Sequence, residues 1–78
     1  MANSFDSVLD CSGLSCPMPI VKTSKAIKEL QISQVLKVIA TDAGSPKDMA
    51  AWARQTGNEL ISSTEENGKY IFLIRRLK

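Results

Sequence analysis

The residue types best suited to chemistry stand in one short segment, residues 13–19, which reads Gly-Leu-Ser-Cys-Pro-Met-Pro. Pro17 is expected at the first position of a helix, where a proline costs nothing because that N–H has no intrahelical partner. Cys16 then becomes the N-cap, beside free backbone N–H groups and the positive end of the helix dipole. Pro19 should hold this first turn rigid. We therefore predict a Cys16 thiol with a lowered pKa, which suits sulfur exchange more than acyl transfer.

The composition excludes several other kinds of chemistry. The chain has 78 residues, two cysteines and no histidine, so it contains no Ser–His or Cys–His catalytic pair. A zinc site would need both cysteines and two carboxylates, an uncommon ligand set, and we expect neither a metal nor a cofactor. The hydrophobic content of 44% and the net charge of +2 are those of an ordinary globular domain. Such a small charge does not by itself imply nucleic acid.

Two interpretations of each cysteine remain open from the residues alone. A cysteine at a helix start is often just a small buried residue, but the prolines on both sides of Met18 favour a reactive Cys16. Cys11 is expected to be a core residue that ends the first strand. The alternative for Cys11 is a resolving thiol, which would attack a persulfide on Cys16 and form a disulfide. Because residues 1–6 lack the pattern of a signal peptide, we expect a cytoplasmic protein with reduced thiols.

Hydrophobic periodicity and turn signals predict six elements within one domain, residues 1–78. Strands are expected at residues 7–11, 35–41, 60–64 and 69–76, with helices starting at Pro17 and after Ser45. The last two strands are joined across Asn67-Gly68, a strong hairpin signal. The sequence therefore predicts an α/β (α+β) two-layer sandwich of order β-α-β-α-β-β, in which a four-stranded mixed sheet carries both helices on one face.

The second helix has marked ends. Ser45 is predicted as its N-cap, with Pro46 at the first position and the acidic Asp48 in the first turn, near the positive end of the dipole. Gly57 is predicted to end the helix in a left-handed conformation. Its buried side chains are expected to be Met49, Trp52, Ala53 and Thr56.

Two apolar residues, Met18 and Val21, are expected on the solvent side of the first helix, among the basic side chains of Lys22, Lys25 and Lys28. These lysines can be interpreted as a solvated face. Alternatively, they attract acidic partners or anionic sulfur species such as thiosulfate. An exposed apolar pair rimmed by charge suits transient docking, so Met18, Val21, Lys22 and Lys25 are candidate partner or anion contacts.

Residues 9–20, Leu-Asp-Cys-Ser-Gly-Leu-Ser-Cys-Pro-Met-Pro-Ile, resemble the signature of the TusA (SirA-like) sulfur-carrier proteins. The similarity continues at residues 40–42, 44–45, 51–53, 56–60 and 72–75. The resemblance implies that Cys16 carries sulfane sulfur as a persulfide, supported by the motif residues Gly13, Pro17 and Pro19. Cys11 falls where family members often have alanine, so the resemblance gives it no role.

The resemblance also implies partners and pathways. A rhodanese or a cysteine desulfurase would donate sulfur, and a second sulfur-carrier protein would accept it. Met18 stands where some members of the tRNA-thiolation pathway carry an acidic residue, so we name dissimilatory sulfur metabolism first. The alternatives are a tRNA-thiolation or molybdenum-cofactor relay, a selenium-handling or regulatory protein on this scaffold, and a non-catalytic module binding nucleic acid or protein. Only the last of these would not need Cys16.

Overall fold

Alternating apolar residues along four strands build one sheet, and two amphipathic helices pack against it. In the computed structural model, which describes residues 5–78, the elements follow the predicted order. They are β1 (Ser7–Cys11), α1 (Met18–Ile27), β2 (Val35–Ala40), α2 (Ser45–Thr56), β3 (Glu59–Glu66) and β4 (Lys69–Arg75). Within the described residues, neither helix combines the length and apolar content required to cross a bilayer.

The four strands lie in the order β1-β2-β4-β3. Strands β1 and β2 are parallel, whereas β4 runs antiparallel to both β2 and β3, which makes the sheet mixed as predicted. The parallel register pairs Cys11 at the end of β1 with Ala40 at the end of β2. The loops that follow these two strands therefore leave the sheet at the same edge, the usual position of functional sites in sheets with parallel strands.

Both helices cover one face of the sheet. The core side chains alternate along the central strands, as the two-residue period of a strand requires. They are Leu36, Val38 and Ala40 from β2, Phe72 and Ile74 from β4, and Ile27, Met49, Trp52 and Ala53 from the helices. Within residues 5–78 no helix covers the opposite face of the sheet, and Val8 on that face is exposed. The predicted two-layer architecture is confirmed.

The hairpin between β3 and β4 and the end of α2 lie where the turn-forming residues predicted them. Asn67 and Gly68 both have positive φ angles, 51° and 79°, and join β3 to β4 in the predicted hairpin. Gly57 ends α2 in the left-handed conformation, with φ 78°. The prediction that Thr56 is buried was wrong. Thr56 is exposed at the end of α2, where its hydroxyl donates back to the carbonyl oxygen of Trp52 at 2.9 Å.

The predicted helix starts were each wrong by one residue. Helix α1 begins at Met18, so Pro17 rather than Cys16 is the N-cap. Helix α2 begins at Ser45 with Gly44 as the N-cap. The cause at α2 is Asp42, whose backbone carbonyl accepts from the Ser45 amide at 3.0 Å and closes a turn before the helix. Ser45 is consequently buried, and its side chain makes no capping hydrogen bond.

Candidate functional site

Cys16 lies in a tight turn just before α1. The amide of Met18 donates to the carbonyl of Ser15 at 2.9 Å and closes a turn that has Cys16 and Pro17 at its centre, with a cis peptide bond between them. Pro17 was expected to be the first residue of the helix, but it belongs to this turn. The helix therefore starts one residue later, and Cys16 is not its N-cap. Cys16 and Pro17 are exposed, whereas Pro19, in the first turn of α1, is buried.

The loop that carries Cys16 is tied to the loop after β2. Gly13 has φ +80°, a conformation that favours glycine, and its amide donates to the Thr41 hydroxyl at 2.8 Å. On the other side of the turn, the Leu14 amide donates to the Cys11 carbonyl at 3.1 Å. These bonds fix the backbone that leads to Cys16 against the edge where β1 and β2 end.

Two carboxylates stand at the same edge, on the segment from β2 into α2. Asp42 Oδ2 accepts a hydrogen bond from the Gly44 amide at 3.1 Å, and the Asp48 amide donates to the Gly44 carbonyl at 3.1 Å. A Cβ at Gly44 would lie 3.1 Å from Asp42 Oδ2 and 3.7 Å from Asp48 Oδ2, so both carboxylates border this glycine. Both aspartates are half-buried.

These carboxylates shift the pKa of the Cys16 thiol in the direction opposite to the one predicted from the sequence. The neighbouring Asp48 carboxylate raises the pKa of the Cys16 thiol, and desolvation and the negative charge of Asp42 act in the same direction. The prediction of a lowered pKa was therefore wrong. It rested on Cys16 capping the helix, but Cys16 lies outside α1, and acidic side chains are the charged groups that act on it.

Cys11 occupies a different environment from Cys16. It is completely buried in the core at the end of β1, and burial raises the pKa of its thiol. Both cysteines are free thiols. This position suits the core role expected for Cys11, and a resolving role would require the thiol to leave the core. Residues 5–78 contain no cluster of three or more side chains suited to hold a metal ion.

Comparison with known proteins gives the family. The sequence model described as "Sulfurtransferase TusA" matches residues 7–76, which include all six elements. The chain belongs to the TusA family. It is 56% identical over 72 residues to the sulfur carrier protein TusA of Allochromatium vinosum, covering 92% of this chain and 95% of that protein. The sulfur carrier protein TusA of Pseudomonas aeruginosa is 37% identical over 76 residues, covering 97% and 96% of the two chains.

A solved structure shows the same fold as this TusA-family chain. The crystal structure of the SirA-like protein from Desulfitobacterium hafniense matches with a TM-score of 0.81 at 23% identity, covering 94% of this chain and 100% of that one. The family-model match and the sequence relatives confirm the resemblance noted from residues 9–20 as family membership, and the shared fold confirms the expected fold class.

Next to the Cys16 turn, α1 presents the predicted apolar and basic side chains to solvent. Met18 is 40% exposed and Val21 is 52% exposed. Lys22 and Lys25 are exposed on the same helix. We call these four residues the α1 surface. A shallow groove between α1 and α2 continues it, lined by Ile20, Val21, Ser24, Lys25, Lys28 and Trp52.

Two residues of the site were not found by sequence reasoning. Asp48 was interpreted as a residue of the first helical turn, with contact to a partner as the alternative, and Thr41 was interpreted as the end of a strand. Both residues could have been placed near Cys16 from the predicted β-α-β order of the elements. Once β1 and β2 are paired in parallel, the residues after each strand must meet at one edge.

Proposed function

We propose that this TusA-family chain is a sulfur carrier that accepts sulfane sulfur on Cys16 and passes it to the thiol of a partner protein. The observation that carries the proposal is the contrast between the two thiols. Cys16 is exposed on a hydrogen-bonded loop, whereas Cys11 is sealed in the core. Relatives from Allochromatium vinosum and Pseudomonas aeruginosa, each matched over nearly its full length, are named sulfur carriers, which supports the same role here.

The proposed chemistry consists of two exchanges of the same kind. The Cys16 thiol loses its proton to solvent, and the thiolate attacks the outer sulfur of a donor persulfide. A sulfur–sulfur bond forms at Cys16 while the donor's own sulfur–sulfur bond breaks, and the donor cysteine leaves as a thiolate that takes up a proton. An acceptor thiolate then attacks the outer sulfur on Cys16 and releases the Cys16 thiolate. Neither exchange needs an external oxidant or reductant.

The α1 surface is the proposed docking site for donor and acceptor. Met18 and Val21 supply exposed apolar area beside the reacting thiol, and Lys22 and Lys25 supply charge at the rim, the arrangement found in transient interfaces. We assign the donor to the rhodanese or cysteine desulfurase class and the acceptor to a second sulfur carrier. Since Met18 is apolar where some tRNA-pathway members carry an acidic residue, dissimilatory sulfur metabolism is the proposed pathway.

The test is the mass gained by the chain on exposure to a persulfide donor. Wild-type protein and the Cys11→Ser variant should each gain one sulfur atom that a reducing agent removes, and peptide mapping should place it on Cys16. Cys16→Ser should gain none. A Cys16→Ser variant that still gains the sulfur would contradict the proposal. RNA binding that weakens with salt and survives Cys16→Ser would favour the nucleic-acid module instead.

A further inference from the structure

A shallow groove runs between the two helices and starts close to the Cys16 turn. It is lined by Ile20, Val21, Ser24, Lys25, Lys28 and Trp52, and we call it the α1–α2 groove. Val21, Lys25 and Lys28 are spaced by four and three residues, so they lie on one side of α1. Met18, the first residue of α1, lies three residues before Val21 on the same side. The groove therefore continues the α1 surface from the reactive turn toward the end of the helix.

The α1–α2 groove offers apolar surface to a partner. Val21 in its lining is 52% exposed, and Trp52, which belongs to the core, reaches the groove from α2. Ile20, which is half-buried, is the third apolar residue of the lining. Covering such side chains with apolar groups is favourable, whereas a small hydrophilic anion supplies no apolar group to cover them. The groove therefore suits an occupant that has apolar side chains of its own.

The charged side chains of the α1–α2 groove are all positive. Lys25 and Lys28 are exposed, and the lining contains no acidic side chain. Within residues 5–78 the one ion pair joins Arg75 to Glu59, so neither lysine has an acidic side chain at ion-pair distance. A positive patch that is not neutralised within its own chain attracts a negative surface and steers it during encounter. Charge complementarity therefore favours acidic side chains in the occupant.

The two lysines lie too far from the thiol to hold a small anion that reacts there. Lys25 follows Met18 by seven residues and Lys28 follows it by ten, which corresponds to about 10 Å and about 15 Å along the helix axis. An anion of the size of thiosulfate bound at these lysines would not reach Cys16. A protein segment, in contrast, can fill the groove while a cysteine of the same protein meets Cys16.

We propose that the α1–α2 groove binds an acidic segment of the partner protein, whose carboxylates pair with Lys25 and Lys28 while an apolar side chain packs against Val21 and Trp52. The inference rests on the proposed sulfur transfer and names the chemistry of the partner's surface. It requires the partner to carry these carboxylates about 10–15 Å from its reacting cysteine. The bound segment then sets the orientation in which the two sulfurs meet.

Trp52 gives a direct readout, because it is the only tryptophan of the chain and lines the groove. The probe is a peptide with blocked ends built from repeats of Glu-Glu-Leu-Ala, and two comparison peptides carry Gln or Lys in place of Glu. The glutamate peptide should change the emission of Trp52 and bind at least about threefold more tightly than the glutamine peptide, with the lysine peptide weakest. This preference should shrink at high salt, a measurement on the wild-type chain alone.

A matched pair of charge variants locates the effect. Lys25→Glu with Lys28→Glu should weaken binding of the glutamate peptide by roughly tenfold and favour the lysine peptide. Lys69→Glu with Lys78→Glu makes the same change of net charge at exposed positions outside the groove and should stay within about twofold of wild type. Urea unfolding reports whether both variants keep the fold, and the salt dependence of the wild type tests the proposal without them. Equal losses of affinity in the two variants would overturn the role of Lys25 and Lys28.

The remaining outcomes separate the inference from the proposed function. Equal affinity for the glutamate and glutamine peptides, or a Trp52 emission that the glutamate peptide leaves unchanged, would overturn the inference, while sulfur could still load on Cys16. Tighter binding of an oligouridylate than of the glutamate peptide would assign the groove to nucleic acid, and self-association that changes the Trp52 emission would assign it to a second copy. Either result would overturn the acidic segment. Absence of sulfur from Cys16 would overturn the proposed function, while the peptide affinities would still report on the groove.

Discussion

The hydroxyl of Thr41 accepts a hydrogen bond from the amide of Gly13 at 2.8 Å and joins the loop that carries Cys16 to the loop that leads into α2. The two residues are 28 positions apart in the sequence. The bond is possible because Gly13 adopts a positive φ angle, which turns its amide toward the end of β2. This contact ties the loop of Cys16 to the segment of Asp42 and Asp48, the two carboxylates that raise the pKa of the Cys16 thiol.

Gly13→Ala should damage both the fold and the site. A Cβ at Gly13 would meet no atom within 4 Å, so the cost comes from the backbone conformation alone and should be about 1 kcal/mol of unfolding free energy. We also expect sulfur acceptance from a donor protein to fall by roughly threefold or more, since the loop that positions Cys16 is loosened. Urea unfolding and the rate of mass gain measure the two effects.

Gly68 provides a matched control for this change. It has φ +79°, and a Cβ there would likewise meet nothing within 4 Å, but it lies in the β3–β4 hairpin. Gly68→Ala should therefore lose a similar amount of stability and leave sulfur acceptance unchanged. Equal loss of acceptance in both variants would show that Gly13 acts only through stability.

Two neighbouring arginines should differ in their effect on stability. Arg76 Nη1 donates to the carbonyls of Lys28 and Leu30, which lie beyond the last turn of α1, so Arg76→Met should cost about 1–3 kcal/mol. Arg75 pairs with Glu59 at 3.0 Å, but both side chains are more than 40% exposed, and Arg75→Met should cost less than about 1 kcal/mol. Urea unfolding compares them. A larger cost at Arg75 would contradict this interpretation.

The buried thiol of Cys11 should give the fold a dependence on alkaline pH. Because burial raises the pKa of Cys11, the folded chain keeps a proton that the unfolded chain loses above about pH 8.5. This stabilisation is complete below the unfolded pKa and is lost as the pH rises through the folded value. The unfolding free energy of the wild type should therefore fall more steeply above about pH 8.5 than that of Cys11→Ala. Parallel curves for the two proteins would refute the prediction.

Changing the α1 surface should impair transfer between proteins but not the thiol itself. The double variant Met18→Glu, Val21→Lys removes the exposed apolar pair, and we expect transfer from a donor protein to slow by on the order of tenfold. Loading from a low-molecular-mass persulfide should be unchanged. The matched control is Ile32→Glu with Leu77→Lys, which alters two other exposed apolar residues. An unchanged rate of transfer in the Met18, Val21 variant would show that the α1 surface is not the docking site.

The elements that depend only on neighbouring residues could be predicted from the sequence. The strand at residues 7–11 was predicted with its observed bounds, and Asn67-Gly68 identified the hairpin, because alternation and turn chemistry act within a few residues. The two-layer architecture followed from the order of the elements. Only the length of β3 was underestimated, since its polar continuation to Glu66 is paired with β4 and carries no apolar signal of its own.

The electrostatics of Cys16 could not be predicted from neighbouring residues. The N-cap rule assumes that the helix begins at the first proline, but the Ser15–Met18 turn precedes α1 and leaves Cys16 outside it. Asp48, the carboxylate that raises the pKa of this thiol, is 32 residues away along the chain, and the parallel pairing of β1 and β2 brings the segments that follow the two strands to one edge of the sheet. Cys16 could be chosen from the sequence as the candidate thiol, but its electrostatic environment depends on tertiary structure.

The most direct test of the account is a single-turnover transfer followed by intact mass. The chain is loaded from a persulfide donor, separated from that donor and mixed with an acceptor protein that has one accessible cysteine. We predict that the sulfur atom disappears from Cys16 as an equal amount appears on the acceptor, and that Cys16→Ser delivers nothing. Loaded protein that keeps its sulfur in the presence of the acceptor, or delivery by Cys16→Ser at the wild-type level, would contradict the central claim that Cys16 carries sulfur between proteins.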